Sequence, residues 1–579
     1  MLLVTIILLL LTRLLLWGAL RRWLYARWLK ISPPTNRVRV EDGIAITTDA
    51  GITLVCDHYA PVGVSNVPTI LIRTPYGRNR RGSFYGGLTA FFARRFAERG
   101  YHVIVQDVRG RFDSSGEFEP YVNEQADGIA TVEWLRRQTW FNGQIGTWGP
   151  SYLGITQWAI ADNIPEIQAM VPIVTATRMY PIMYPDGVLN FGLLTRWLAI
   201  FHLLDQSYHG STWAGLRTLW FYYRNLGKLD RRAPIRQMDQ WLTGRTIPIW
   251  QQAMDDTRPD SPLWREINAM MDIGRVQAKV HLIGGWYDFF LREQLCDYRQ
   301  LQEADNPPYL TIGGWHHFDD LNGMYTGMQA GLRWFDHHLK GRGTLRAKPV
   351  KLYHMGADKW IERDEYPAFT TEARSYHLNG DERRLQRATP DAGTAHYPYQ
   401  PTDPTPSVGG AEFSIVIRPV RDNRTLAARG DVLAFTSDPL AHDIDISGVV
   451  RVVLFVQSTA LTCDFVARLC DVQADGRSLN ICDGFVHIAN HADTVQQVDI
   501  YTHPTLYRFK RGHRLQVLVS SGAHPRWLRN HGTLEPFADA ATLLACQQTV
   551  FYGGDKPSQL ILPVIAGASR DTRPASNQG

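Results

Sequence analysis

Cysteine is scarce in this sequence: six occur in 579 residues (Cys56, Cys296, Cys463, Cys470, Cys482, Cys546), and none forms a C-x-x-C pair. That spacing argues against a structural zinc site and a dithiol redox motif. Cys463, Cys470 and Cys482 lie near enough in sequence to allow a disulfide, but buried free thiols are the expectation. A large excess of one charge is also missing. The formal net charge is +5, part of it within the first thirty residues, so no broad basic field is left for nucleic acid. Internal repeats are absent. With 44% hydrophobic and 20% charged residues, the chain has the composition of a folded protein, and its length suggests two or three domains.

One long apolar run is present. Residues 2–20 (LLVTIILLLLTRLLLWGAL) are broken only by Arg13. A helix of that length nearly matches a bilayer core of about 30 Å. Trp17, Trp23, Tyr25 and Trp28, interleaved with Arg21, Arg22, Arg27 and Lys30, read as an interfacial belt. There is no basic n-region and no A-x-A site, which weighs against a cleaved signal peptide and export. A helix lying flat on the membrane is a second rival. The expectation is a membrane-anchor helix over 1–30. The basic residues follow the run, so the catalytic body is expected on the cytoplasmic side.

Beyond a stiff linker (Ile31 to Asn36), alternating runs near 43–48 and 52–58 predict two strands joined by a hairpin turn. Short apolar runs at 69–73, 101–106 and 144–148 predict buried parallel strands, with helices over 87–99, 124–138 and 151–162 between or after them. The rhythm resumes with strands at 279–283 and 309–312 and helices at 291–304 and 325–339. This alternation predicts a doubly wound α/β sheet over 36–175 and 276–345. The interval 176–275 is helical in pattern and holds Trp197, Trp213, Trp220, Trp241, Trp250 and Trp264. It reads as a cap over the strand ends, with most of those tryptophans in the cap's own core. From 346 to 566, short strand-like runs such as 414–418, 449–456 and 515–520 predict an all-β jelly roll, followed by a disordered tail over 567–579.

Chemistry concentrates at Gly146-Thr-Trp-Gly-Pro-Ser-Tyr-Leu-Gly154. A strand ends there, a tight turn holds Ser151, and an apolar helix begins, which is the setting of a nucleophile elbow in an α/β-hydrolase. The following helix N-terminus offers free N–H groups to a developing oxyanion. A serine needs a base, and the base needs a carboxylate to orient it. Asp288 follows the strand ending Gly284-Gly285-Trp286-Tyr287, and His316-His317 follow the one ending Gly313-Gly314-Trp315. The order Ser, Asp, His at three strand ends is that of α/β-hydrolases, and either histidine satisfies the chemistry. Asp107 and Arg109 are expected to hold their loop by ion pairing. For Asp113, His202, His209 and Asp464, structural roles are favoured over pocket or interface roles.

Several segments together resemble the family of cocaine esterase, α-amino-acid ester hydrolases and X-Pro dipeptidyl-peptidases. They are Arg73-Thr-Pro-Tyr-Gly77, Asp107-Val-Arg-Gly-Arg111 with Ser115-Gly116, Gly149 to Gly154, Gly285-Trp-Tyr-Asp288 and Gly314-Trp-His-His317. Arg429-Gly-Asp-Val-Leu433, Thr462-Cys-Asp-Phe465 and Asp475-Gly-Arg477 extend the likeness into the β region. Gly314 stands where a proline is common in the family. The resemblance implies Ser151 as nucleophile, Asp288 as acid and His317 as base, with the Tyr76 hydroxyl and the Tyr152 N–H as oxyanion hole. It implies a serine hydrolase that needs neither metal nor organic cofactor. Its substrate is expected to be a small ester or amide, with an apolar acyl or aryl ester favoured. Xaa-Pro peptides and β-lactam side-chain amides are the alternatives within the family. Two readings from other classes are a catalytically idle binding protein and a carbohydrate-binding role for the β domain. The histidine must be neutral to act as base, so activity should fall on acidification through about pH 6.5. Homo-oligomerisation is left open.

Overall fold

The computed structural model describes residues 20–269, 271–414, 418–489 and 493–567. Its first sheet has ten strands: β1 (Val38–Thr47), β2 (Thr53–Pro61), β3 (Thr69–Thr74), β4 (His102–Asp107), β5 (Ile145–Pro150), β6 (Ile167–Ile173), β7 (Lys279–Tyr287), β8 (Tyr309–His316), β9 (Val350–His354) and β10 (Lys359–Arg363). The spatial order is β1-β2-β4-β3-β5-β6-β7-β8-β9-β10. Strands β4 to β9 pair in parallel, and antiparallel pairs flank them at both edges. Every residue of β3 and β4 is buried, as expected of strands covered on both faces. Ile70, Ile72, Val103 and Val105 face one core with Phe92, Phe96 and Phe335, while Leu71 and Ile104 face another with Val132, Leu135 and Ile155. The period of two along each strand thus feeds two helical layers.

β6 is an element the sequence did not announce. Gln168 interrupts its apolar run, and Pro172 lacks a donor for the ladder. Burial between β5 and β7 outweighs both.

Helices follow one another from Tyr180 to Ala269 between β6 and β7. Their tryptophans divide: Trp197, Trp250 and Trp264 are buried and Trp241 packs against the same core, in line with the expectation for most of them, but Trp213 and Trp220 are exposed. The C-terminal part is a second, mostly antiparallel sheet of thirteen strands, among them Arg451–Ser458 and Arg514–Ser520. One pairing in it, Arg384 with Thr436, is parallel. Of the strand expected at 414–418, residues 415–417 lie outside the described residues, as does the tail from 568. None of the six cysteines is in a disulfide, and five of them are buried.

The expected membrane anchor is corrected. Residues 1–19 lie outside the described residues, and no described helix is long and apolar enough to cross a membrane. Of the stretch expected to form an interfacial belt, residues 20–28 are helical and dock on the protein itself. Ala26 and Leu29 are buried, the Tyr25 ring meets the Phe91 ring edge-on, and the Arg95 guanidinium lies over Tyr25. The Tyr325 hydroxyl and the Gln329 amide donate to the carbonyls of Trp28 and Leu29. An aromatic and basic segment serves a protein surface as readily as a lipid one. The cytoplasmic placement depended on the anchor and falls with it.

Candidate active site

Ser151 sits between β5 and the helix Tyr152–Ala161 with φ 56° and ψ −123°, a left-handed conformation held by its surroundings. The glycine spacing has a steric cause. A Cβ on Gly149 would lie 2.5 Å from the Leu153 side chain, and one on Gly154 would lie 2.3 Å from Thr175. Gly154 lets the helix close onto the loop after β6, while Leu153 lines the cavity beside the serine.

His317 Nε2 is 3.0 Å from Ser151 Oγ, and His317 Nδ1 is 2.8 Å from Asp288 Oδ2. The other Asp288 oxygen accepts from the Phe290 N–H at 2.8 Å, and the residue is fully buried. Phe289 and Phe290 tilt against the imidazole, with ring centroids at 4.5 and 5.6 Å. The carbonyl of Asp288 accepts from His503 Nε2 at 2.8 Å. Burial pushes His503 down to about 4, so it is neutral and its Nε2 carries the proton. His316 points elsewhere: its Nδ1 accepts from the Phe318 N–H.

Tyr76 follows β3. Its hydroxyl accepts from Trp197 Nε1 at 3.1 Å, and its side chain lines the same two cavities as Ser151. Burial pushes its phenol up to about 12. The Tyr152 N–H lies at a helix N-terminus, where amides lack intrahelical acceptors. The Tyr152 hydroxyl donates to Glu124 Oε1 at 2.8 Å, and Glu124 pairs with Arg73 at 2.8 Å in a buried network. Burial raises the Glu124 carboxyl even so.

Two apolar cavities meet at Ser151. The larger is lined by Tyr85, Leu88, Leu153, Ile200, Phe318 and Met324. The smaller is lined by Tyr121, Ile155, Met183, Leu193, Phe289 and Phe290. Tyr76, Trp197 and Phe413 border both.

Two family models match this chain: X-Pro dipeptidyl-peptidase (S15 family) over residues 50–319 and the X-Pro dipeptidyl-peptidase C-terminal non-catalytic domain over 343–561. The chain belongs to the S15 family. It is therefore a member of a serine hydrolase family that includes esterases and peptidases. Cocaine esterase of Rhodococcus sp. (strain MB1 Bresler) is 29% identical over 91% of this chain and 98% of its own length. Among solved structures, an aminopeptidase from a marine sediment Thaumarchaeota archaeon superposes with a TM-score of 0.77 at 20% identity, covering 92% of this chain and 97% of that one. An α-amino acid ester hydrolase superposes with a TM-score of 0.71, also at 20% identity, with the same coverage. At that identity these two speak for the fold.

Within this S15 chain the remaining candidate residues stand apart from Ser151. Arg109 pairs with Asp127 at 2.5 Å, and Asp107 pairs with Arg78. Arg78 also holds Asp57 and Asp113, and Asp113 accepts from the Tyr208 hydroxyl. The half-buried His202 lies edge-on to Tyr222, and the exposed His209 lies against Tyr208. Asp464 pairs with His487 at 2.7 Å in the C-terminal sheet. Sequence reasoning missed Trp197, Phe289, Phe290, Phe413 and His503. Phe289 and Phe290 carried a usable signal, being adjacent to Asp288.

Proposed function

We propose that this S15-family protein hydrolyses an ester with an apolar acyl or aryl group through an acyl-enzyme. In this reading Ser151 is the nucleophile, His317 the base, Asp288 its orienting acid, and the Tyr76 hydroxyl and Tyr152 N–H the oxyanion donors. The observation that carries it is the continuous contact from Ser151 Oγ through both nitrogens of His317 to Asp288, at 3.0 and 2.8 Å.

Each step follows from that geometry. His317 Nε2 takes the serine proton as Oγ attacks the acyl carbon. Asp288 holds the Nδ1–H tautomer and stabilises the imidazolium that forms. The Tyr76 phenol stays protonated at working pH and donates to the oxyanion, which such a donor stabilises by roughly 3 kcal/mol. His317 then protonates the leaving alcohol, and water attacks the acyl-enzyme with the same groups in reverse.

The apolar lining of both cavities supports the ester preference, as does the substrate in the name of the Rhodococcus relative. A peptidase that binds a free α-amino group needs a carboxylate beside the nucleophile. Among the described residues lining the two cavities there is none. Glu293 and Asp186 line a separate polar cavity that shares Phe289 with the smaller apolar one. The test is a kcat/KM panel with purified protein: aryl and alkyl esters of apolar acids, charged esters, and Xaa-Pro anilides. Apolar esters should lead by at least about 100-fold, the scale of one or two lost apolar contacts per substrate. Equal turnover of charged and apolar esters, or faster cleavage of Xaa-Pro anilides, would overturn the preference.

A further inference from the structure

The Tyr76 hydroxyl meets the Trp197 indole, and the chemistry of that contact is not symmetrical. An indole N–H can only donate, so at the 3.1 Å contact Trp197 gives and the phenol oxygen receives. The single phenol proton is then turned away from the indole, toward the cavities that Tyr76 shares with Ser151. Ser151 in turn meets His317 Nε2, and His317 Nδ1 meets the acceptor-only carboxylate of Asp288. The donor-only indole sets the direction of the Tyr76 proton, and the acceptor-only carboxylate sets those of His317 and Ser151.

We propose that Trp197 is a positioning residue for the oxyanion hole: its N–H locks the Tyr76 rotor so that the phenol proton faces the oxyanion. The proposal rests on the reading of Tyr76 as oxyanion donor. Without Trp197, the phenol could turn its proton to another acceptor and would have to be reoriented in the transition state. A preorganised donor avoids that cost, and a donor that is itself receiving a hydrogen bond is more strongly polarised.

The surroundings hold Trp197 for this task. It lies on the helix Phe191–Asp205 of the insertion, with its ring nearly parallel to those of Tyr121 and Tyr152 at 6.0 and 6.2 Å. Phe201, one turn on, meets Trp197 edge-on at 4.7 Å and stacks on Tyr76 itself at 5.7 Å. Arg111 ties the two segments together. Its Nε donates to the carbonyl of Pro75, next to Tyr76, and its Nη1 pairs with Asp205 at the end of the same helix at 2.6 Å. Its guanidinium also lies over the Phe201 ring at 4.8 Å. The inserted helices therefore contribute to the oxyanion hole as well as to the cavity walls.

The test is a double-mutant cycle on an apolar aryl ester, with thermal midpoints recorded to confirm folding. Trp197→Phe keeps an aromatic wall and removes the N–H. Replacement of Trp197 by 3-benzothienylalanine keeps the full shape and removes only the N–H. Both should lower kcat by roughly 5- to 30-fold with KM changed less than about 3-fold, as expected of a group acting in the transition state. Affinity for a trifluoromethyl ketone analogue should fall by the same factor. In a Tyr76→Phe background, either change should alter kcat by less than about 2-fold, because the rotor it positions is gone. Full additivity in that background, or unchanged kcat in the benzothienyl variant, would overturn the proposal while leaving Tyr76 as donor. If Tyr76→Phe alone leaves kcat unchanged, the reading of Tyr76 fails, and this inference fails with it.

Discussion

The ten-stranded sheet presents Ser151, Asp288 and His317 just past the ends of β5, β7 and β8, whereas the C-terminal sheet region reaches the same site through Phe413 and His503. Both regions carry dense buried ion pairs, Arg73 with Glu124 in the first and Asp483 with Arg468 and Arg526 in the second. Buried pairing therefore does not distinguish the reactive sheet from the supporting one. Parallel strands do, because they deliver several side chains to one edge, with helix N-termini beside them. The antiparallel sheet lends the site one hydrogen bond and one apolar wall. Removing groups from the first sheet should therefore affect kcat by orders of magnitude. Removing them from the second should act more weakly, through position, pH dependence or substrate fit.

The largest effect is expected at the first sheet. Ser151→Ala should lower kcat by at least about 10⁴-fold, and Asp288→Asn by about 10⁴-fold through the wrong histidine tautomer, with folding intact by circular dichroism. A loss under tenfold in either would erase the contrast between the regions.

His503→Phe comes next. It removes the donor to the Asp288 carbonyl and keeps a ring in place, so kcat should fall about 10-fold, as for an outer group that orients a reacting one. The same variant has a pH signature. Burial holds His503 down to about 4, below the value of an exposed histidine, so the unfolded chain binds a proton there before the native one does. Wild-type stability from this residue is present above about pH 6.5 and is lost as pH falls toward 4. The thermal midpoint of His503→Phe should therefore gain on wild type across that window, by at most about 3 kcal/mol of stability. Parallel midpoint curves from pH 7 to 4 would contradict this.

The smallest effect is expected at Phe413, which borders both cavities and approaches Phe318 at 4.6 Å. Phe413→Ala should raise KM for apolar esters by roughly 5- to 20-fold with little change in kcat, since it removes contact made equally in the ground and transition states. A matching fall in kcat would place this residue with the reacting groups.

The parallel strands, the Ser–Asp–His order and the glycine turn were legible because each depends on a few neighbouring residues. The apolar runs of β3 and β4 announce burial, and Gly149 and Gly154 announce close approach. What escaped depends on contacts between distant segments. His503 lies 215 residues from Asp288, and nothing local marks it. Trp197 was one of six tryptophans in a helical stretch, distinguished only by where the fold places its N–H. The aromatic and basic residues that follow the apolar run misled for a related reason. Trp23, Tyr25 and Trp28 among arginines look alike whether they meet lipid or, as residues 20–28 do, the protein's own helices.

A fluorophosphonate probe, which phosphonylates an activated serine, bears most directly on Ser151. Intact-mass and peptide analysis of the labelled protein should show one adduct, on the peptide carrying Ser151, with ester hydrolysis lost in proportion and no labelling of Ser151→Ala. Labelling of another serine, equal labelling of Ser151→Ala, or full activity after stoichiometric modification of Ser151 would contradict its role as nucleophile.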